Sequence, residues 1–169
     1  MHLAQPWVSW AALPAGDPGT GRTLAEMEAA VRAAIRDPLV VQTARKIVAR
    51  VPERDSRAEA EALLRWLQAH LRYTRDPTDY ELLVPPSRLL REIQAAGVAT
   101  EDCDSASMAL AALLQAVGIR TRFRVLGAQP PRGADSRFSH VYVEALVEGG
   151  WLALDPTVRG RPLGYRPRG

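Results

Sequence analysis

The sequence predicts an α+β protein in which helices come first and a small antiparallel sheet comes last. Apolar residues recur at helical spacing over the first two thirds of the chain, and beyond Gly118 they alternate with polar residues as in strands. Because helices and strands are segregated along the chain, an alternating parallel fold is disfavoured. The 169 residues suit one domain, which we place at residues 23–157, between an N-terminal arm (1–22) and an arginine-rich C-terminal tail (158–169).

Three helices are predicted before residue 72. The first covers residues 24–36 and follows a Thr-x-x-Glu pattern typical of a helix start. The second begins at Pro38, which is tolerated in a first turn, and ends before Pro52. The third begins at Ser56 with another capping box and carries a stripe of leucines on one face. These helices are predicted to be packing elements.

The second half of the chain carries a further irregular segment, two helices and three strands. Residues 72–87 contain three prolines and no clean period, so we expect a loop or an extended segment. A short helix is predicted over residues 87–96, and another helix begins near Cys103 with an apolar face that reaches Val117. Strands are predicted in IRTRFRVLG, FSHVYVEALV and WLALDPT, each bounded by Gly or Pro.

The charge and hydropathy patterns argue against nucleic acid and membrane as partners. The net charge is +3, but the positive residues are scattered among acidic residues along the predicted helices. The tail is the exception: it holds four arginines and no acid, and we interpret it as a solvated, disordered end. No apolar run approaches the ~20 residues that cross a bilayer.

The N-terminus and the cysteine count indicate an intracellular protein without a metal or cofactor. The first residues lack a basic segment, and Gln5, Pro6 and Ser9 interrupt what would be the apolar part of a secretory signal. A single cysteine excludes an internal disulfide, and with three widely spaced histidines it offers no zinc-ligand cluster. Cys103 therefore needs another explanation.

Cys103 stands where a nucleophile would. A thiol attacks a carbonyl carbon as the thiolate, which a helix N-terminus or a neighbouring imidazolium stabilises. The first-turn position supplies the helix contribution. Asp102 and Asp104 oppose it electrostatically, so a cationic histidine becomes more necessary, although Asp102 is also suited to be the N-cap of this helix.

His140 is the best candidate for that histidine. His2 falls in the predicted arm, and His70 lies in the third helix as a surface or packing residue, whereas His140 shares a strand face with polar neighbours. A two- or four-residue turn around residues 148–149 would put Asp155 on the same face as His140, with Cβ atoms roughly 5 to 8 Å apart. A three-residue turn would break this match. The chain has no asparagine, so Asp155 is the natural third member of a triad.

The segments EDCDSASMALAALLQAVGIRTRFRVLG, FSHVYVE and GGWLALDPT together resemble the transglutaminase-like superfamily over about residues 72–157. The resemblance implies a papain-like fold, with Cys103 as nucleophile, His140 as base and Asp155 as the orienting carboxylate. The chain departs from the usual pattern at Glu101, where the family has Gly, and at Ser105, where it often has a second acid. It also resembles, more weakly, versions encoded by phages.

These observations predict acyl transfer on an amide or ester, either as a peptidase or amidase or as a transglutaminase, with a peptide or protein as substrate. The Cys103 backbone N–H is one expected oxyanion donor, and Tyr73 or Tyr80 could supply the second. Trp151 is expected to pack over the triad. The alternative is a catalytically silent module that uses the fold for interaction or assembly. The oligomeric state stays open.

Overall fold

The computed structural model describes residues 17–75, 82–127 and 138–167, and within them the chain forms an α+β domain. The elements follow the predicted order, with helices first and the antiparallel sheet last, and they are α1 (Asp17–Ala34), α2 (Pro38–Val48), α3 (Ser56–His70), β1 (Leu71–Tyr73), α4 (Pro86–Ala96), β2 (Ala99–Glu101), α5 (Cys103–Ala116), β3 (Thr121–Gly127), β4 (Phe138–Val147) and β5 (Gly150–Leu154). No helix in these ranges has both the length and the apolar content that crossing a membrane would need.

Helix α5 is the centre of the core. Its residues from Asp104 to Leu114 are all buried, and the other helices pack around it on one side while β4 covers the other. Alanines and leucines dominate this helix, so neighbouring backbones approach closely and the leucine side chains fill the remaining space. Each fully buried leucine stabilises the fold by about 1.5–3 kcal/mol. The start of α5 is thereby held rigidly.

The antiparallel sheet has the order β3-β4-β5 and two chemically different faces. On β4 the odd-numbered residues Val141, Val143 and Ala145 are buried in the hydrophobic core, which they share with α5. The even-numbered residues, among them His140 and Glu144, lie on the opposite face. The predicted alternation therefore describes this strand correctly. We call the face that carries His140 and Glu144 the polar face.

Several element boundaries differ from the prediction. Helix α1 begins at Asp17, seven residues before the predicted start at Leu24, so residues 17–22 of the predicted arm are helical. Pro18 is tolerated because it lies in the first turn of the helix, and the two glycines that follow it do not end the helix. The N-cap of α3 is Asp55, whose side chain accepts a hydrogen bond from Ala58 N at 2.9 Å, and not Ser56. The rest of the predicted arm, residues 1–16, lies outside the described residues.

A two-stranded parallel pair was not predicted. β1 pairs with β2, so that Leu71 lies beside Ala99 and Tyr73 beside Glu101. Three-residue strands are too short to show a period in the sequence, and Leu71 also continues the spacing of the leucine stripe of α3. This pair brings Tyr73 to the residues that lead directly into α5.

The C-terminal segment does not behave as a solvated end over residues 158–167. Gln68 Nε2 donates to Val158 O at 2.9 Å, and Arg65 donates to Arg161 O at 3.3 Å. Arg159 donates to Leu71 O, and Arg166 forms an ion pair with Glu144 at 3.4 Å. The interpretation as a disordered tail is wrong for these residues, because they form hydrogen bonds and an ion pair with α3, β1 and β4. The amino-acid composition of the segment does not reveal such contacts with distant residues.

Candidate active site

Cys103 is the first residue of α5, as predicted. Asp102 is the N-cap: its backbone is extended, and its carboxylate accepts a hydrogen bond from Ser105 N at 3.0 Å. The backbone N–H groups of the first turn point out of the helix start, where the positive end of the helix dipole favours negative charge. The Cys103 side chain is partly buried at this position.

The start of α5 is docked against β4 next to His140. Ser107, one turn further along the helix, donates to Val141 O at 3.2 Å. The backbone N–H of Val141 also lies close enough to the Cys103 sulfur to stabilise a thiolate. Because Val141 follows His140 directly, the thiol and the imidazole belong to one region of the structure.

The thiol is held in its protonated form by its surroundings. Its sulfur donates to Asp104 Oδ1 at 3.5 Å, and burial together with the negative charge of Asp104 raises the pKa of Cys103 to about 12. Asp102 acts in the same direction, while the Val141 N–H lowers the pKa. The predicted opposition of the two local carboxylates is therefore confirmed. A thiolate at neutral pH requires a further positive group.

His140 and Asp155 form a short hydrogen-bonded pair on the polar face. His140 Nε2 lies 2.6 Å from Asp155 Oδ2, and the Asp155 side chain is only 3% exposed. This contact leaves the other ring nitrogen of His140, Nδ1, for a second partner. The register of β4 and β5 explains this pairing. Val147 lies opposite Gly150, so the turn has two residues, one of the lengths predicted. With this register His140 and Asp155 are diagonal neighbours on one face of the sheet.

Asp155 is charged and fully hydrogen-bonded. Its Oδ1 accepts from Thr157 N at 2.9 Å and from Thr157 Oγ1 at 2.8 Å. Burial alone would raise the pKa of Asp155, but the hydrogen bonds from His140 and Thr157 outweigh it, so the pKa is lowered. The ionised carboxylate of Asp155 therefore fixes the orientation of the His140 ring.

Comparisons with known proteins assign the chain to a family. The sequence profile described as the transglutaminase-like superfamily matches residues 42–156, which is well over half of the chain. The chain belongs to the transglutaminase-like superfamily. No curated protein sequence matches it.

Two solved structures share the fold of this transglutaminase-like chain. One, from Parabacteroides distasonis, is provisionally described as a protease; it superposes with a TM-score of 0.59 at 13% identity over 79% of this chain and 26% of its own. The other, from Cytophaga hutchinsonii, is provisionally described as a cysteine protease, with a TM-score of 0.51 at 19% identity over 70% of this chain and 36% of its own. This chain thus spans about a quarter and a third of their lengths. The family resemblance and the papain-like fold class are confirmed.

Gln68 is a residue of the candidate site that the sequence prediction missed. It is 6% exposed, and its amide donates to Asp155 O at 3.0 Å and to Val158 O at 2.9 Å. It therefore clamps the turn that carries Asp155 from a distance of 87 residues along the chain. The available signal was an amide on the leucine face of α3, four residues after the buried Leu64.

The three aromatic candidates occupy different places. Tyr73 is half-exposed on β1, and its pKa is raised by partial burial and then by electrostatic interaction with the Cys103 side chain. Trp151 contacts the guanidinium of Arg122 at 4.2 Å, on the polar face but about 13 Å along β5 from Asp155. Tyr80 lies outside the described residues.

Within the described ranges, no three His, Cys, Asp or Glu side chains are grouped to hold a metal ion.

Proposed function

We propose that this chain is a thiol-dependent acyl-transfer enzyme that acts on an amide or ester through Cys103, His140 and Asp155. The observation that carries the proposal is the 2.6 Å pair between His140 and Asp155, set beside the helix start that bears the thiol. The pair supplies a base whose protonated form is stabilised by a buried carboxylate. Membership of a superfamily that contains such thiol enzymes supports it.

Activation needs a proton transfer from sulfur to His140 Nδ1. In the arrangement described above the thiol donates to Asp104, so the sulfur must rotate from that carboxylate towards the imidazole. The product, a thiolate beside an imidazolium, gains from the helix start and the Val141 N–H. It is opposed by Asp102 and Asp104. His140 is therefore the decisive group for the ionisation of Cys103.

The reaction then follows two displacement steps. The thiolate attacks the carbonyl carbon, a C–S bond forms, and the carbonyl oxygen takes the negative charge. His140 protonates the departing amine or alcohol as the C–N or C–O bond breaks. Water or an amine, deprotonated by His140, next attacks the thioester, and the thiol leaves to regenerate the enzyme. Water as acceptor makes the enzyme a peptidase or amidase, and an amine makes it a transglutaminase.

The oxyanion needs two donors. The Cys103 backbone N–H at the helix start is the first. Tyr73 is the better second candidate, because β1 pairs it with Glu101, two residues before Cys103. A peptide or protein is the substrate class to test first, since both solved structures of the same fold are provisionally described as proteases.

The test is the rate of alkylation of Cys103 by iodoacetamide at pH 6, followed by the mass of the intact protein. Cys103 is the only cysteine, so every adduct reports on it. We expect the wild type to react at least tenfold faster than glutathione, because a thiolate reacts and a thiol does not. His140→Ala should remove this advantage. His70→Ala is the matched control, since His70 is occupied by a hydrogen bond to Trp66 O and should leave the rate unchanged.

A second candidate function is a catalytically silent interaction or assembly module of the phage type. The observation that favours it is the thiol itself, which donates to Asp104 and has a pKa raised to about 12. A wild-type alkylation rate no higher than that of glutathione would select this function. If the thiol is reactive, a labelled amine offered with a glutamine-containing protein separates transfer, seen as incorporation, from hydrolysis, with Cys103→Ala as the inactive control.

A further inference from the structure

Three arginine side chains converge on one buried carboxylate at the far end of the polar face. Glu144 is fully buried, and its Oε2 accepts from Arg122 Nε and Nη2, both at 2.7 Å. Arg124 reaches the same oxygen at 4.0 Å, and Arg166, from the C-terminal segment, reaches Oε1 at 3.4 Å. We call Arg122, Arg124, Arg166 and Glu144 the arginine cluster.

The cluster has more positive charge than it neutralises internally. Three guanidinium groups face one carboxylate, and Glu144 Oε1 has no hydrogen bond within the described residues. Arg122 is fixed by its two short contacts and by the ring of Trp151. Among the described residues, Arg124 and Arg166 form longer ion pairs with Glu144, and their side chains are 52% and 59% exposed. Their planar forks can therefore turn towards an anion in solution.

The cluster lies within reach of the His140–Asp155 pair. Arg124 is paired across the strands with Tyr142, the residue that separates His140 from Glu144 on the polar face. Diagonal neighbours have Cβ atoms about 7–8 Å apart, which is the expected separation of Arg124 from His140. Glu144 lies about 13 Å along β4 from His140. An extended peptide covers these distances with about two to four residues.

We propose that Arg124 and Arg166 form an anion subsite, oriented by Glu144, that binds an acidic side chain of an extended peptide about two to four residues from the reacting carbonyl. The ligand is a peptide with one or two local carboxylates, because Asp102 and Asp104 at the reacting end would repel a continuous polyphosphate. The link to the reacting carbonyl rests on the proposed acyl-transfer function. The anion binding itself does not.

The test measures binding of a fluorescein-labelled tetraglutamate peptide by anisotropy, using the full chain with Cys103→Ala so that no chemistry is needed. We expect binding that weakens with salt, little binding of tetraglutamine, and a loss of roughly three- to fivefold in affinity for each of Arg124→Gln and Arg166→Gln. Arg45→Gln is the matched control: it removes the same charge from an exposed site on α2, a helix of the opposite layer, and should change nothing.

The proposed subsite is refuted if tetraglutamate binds Arg124→Gln, Arg166→Gln and Arg45→Gln with equal affinity. Tighter, equally arginine-dependent binding of an oligothymidylate overturns the assignment to a peptide. In the wild type, tetraglutamate should also slow alkylation of Cys103, and Arg124→Gln should weaken this protection. Binding that depends on the arginines but does not protect Cys103 would refute the position of the subsite beside the reacting carbonyl. An unreactive Cys103 with intact peptide binding refutes the proposed enzyme and leaves the anion site standing.

Discussion

The substitution Gln68→Leu tests whether the turn that carries Asp155 depends on one buried amide. Leucine keeps the approximate volume and removes the two hydrogen bonds that the amide donates, to Asp155 O at 3.0 Å and to Val158 O at 2.9 Å. It also removes the hydrogen bond that Gln68 Oε1 accepts from the partly exposed Arg65 at 3.2 Å. A typical neutral hydrogen bond contributes about 1 kcal/mol, and a buried acceptor left without a donor costs about 1–3 kcal/mol. Because Val158 O is partly accessible and can bind water, we expect a net loss of about 2 kcal/mol.

A loss of this size lowers the melting temperature by about 4–8 °C in a chain of this length. Urea unfolding of the wild type and of Gln68→Leu gives the free energy of unfolding of each protein. The slope of this free energy against urea concentration should be the same for both, which shows that they expose the same surface area on unfolding. Gln42→Leu is the control, since it makes the same change at an exposed position of α2 and should stay within about 0.5 kcal/mol of the wild type. Equal stability of the two variants would refute the reasoning.

The remaining predictions concern ionisation and capping. Thr157→Val removes one donor to Asp155 and should lower the free energy of unfolding by about 1 kcal/mol at pH 7. Because the pKa of Asp155 is lowered in the fold, urea unfolding should show this difference down to about pH 3.9, the pKa of an unfolded Asp, and should lose it as the pH falls further, through the pKa of the folded carboxyl. Asp104→Asn removes a charge that raises the pKa of Cys103 and should speed alkylation of a His140→Ala protein about three- to tenfold at pH 8. Asp102→Ala should cost about 1 kcal/mol through the lost N-cap, and Asp102→Asn much less.

Local signals in the sequence predicted the elements that form the site. Asp102 is an N-cap residue followed by an apolar run, so Cys103 could be placed in the first turn of this helix. The period of two around His140 predicted the strand faces, and the turn of two residues in the structure is one of the lengths that put Asp155 on the face of His140. These features depend on neighbours in the chain, which a single sequence contains.

Contacts between distant segments could not be predicted in the same way. The partners of Gln68 lie 87 and 90 residues further along the chain, and nothing local to α3 indicates which carbonyls it meets. The ion pair of Arg166 with Glu144 likewise joins the arginine-rich C-terminal segment to the polar face of β4. Such contacts follow from packing, which local propensity and period do not encode.

The central claim is that His140 ionises Cys103, and the most direct measurement is a pH titration of thiolate ultraviolet absorbance. In the wild type we predict a thiolate signal that is present at pH 6, because the proton resides on His140 beside the ionised Asp155. In His140→Ala the signal should be absent at neutral pH and emerge only towards pH 12, the value that burial and Asp104 impose on the thiol. A wild-type thiol that also titrates only near pH 12 would contradict the account.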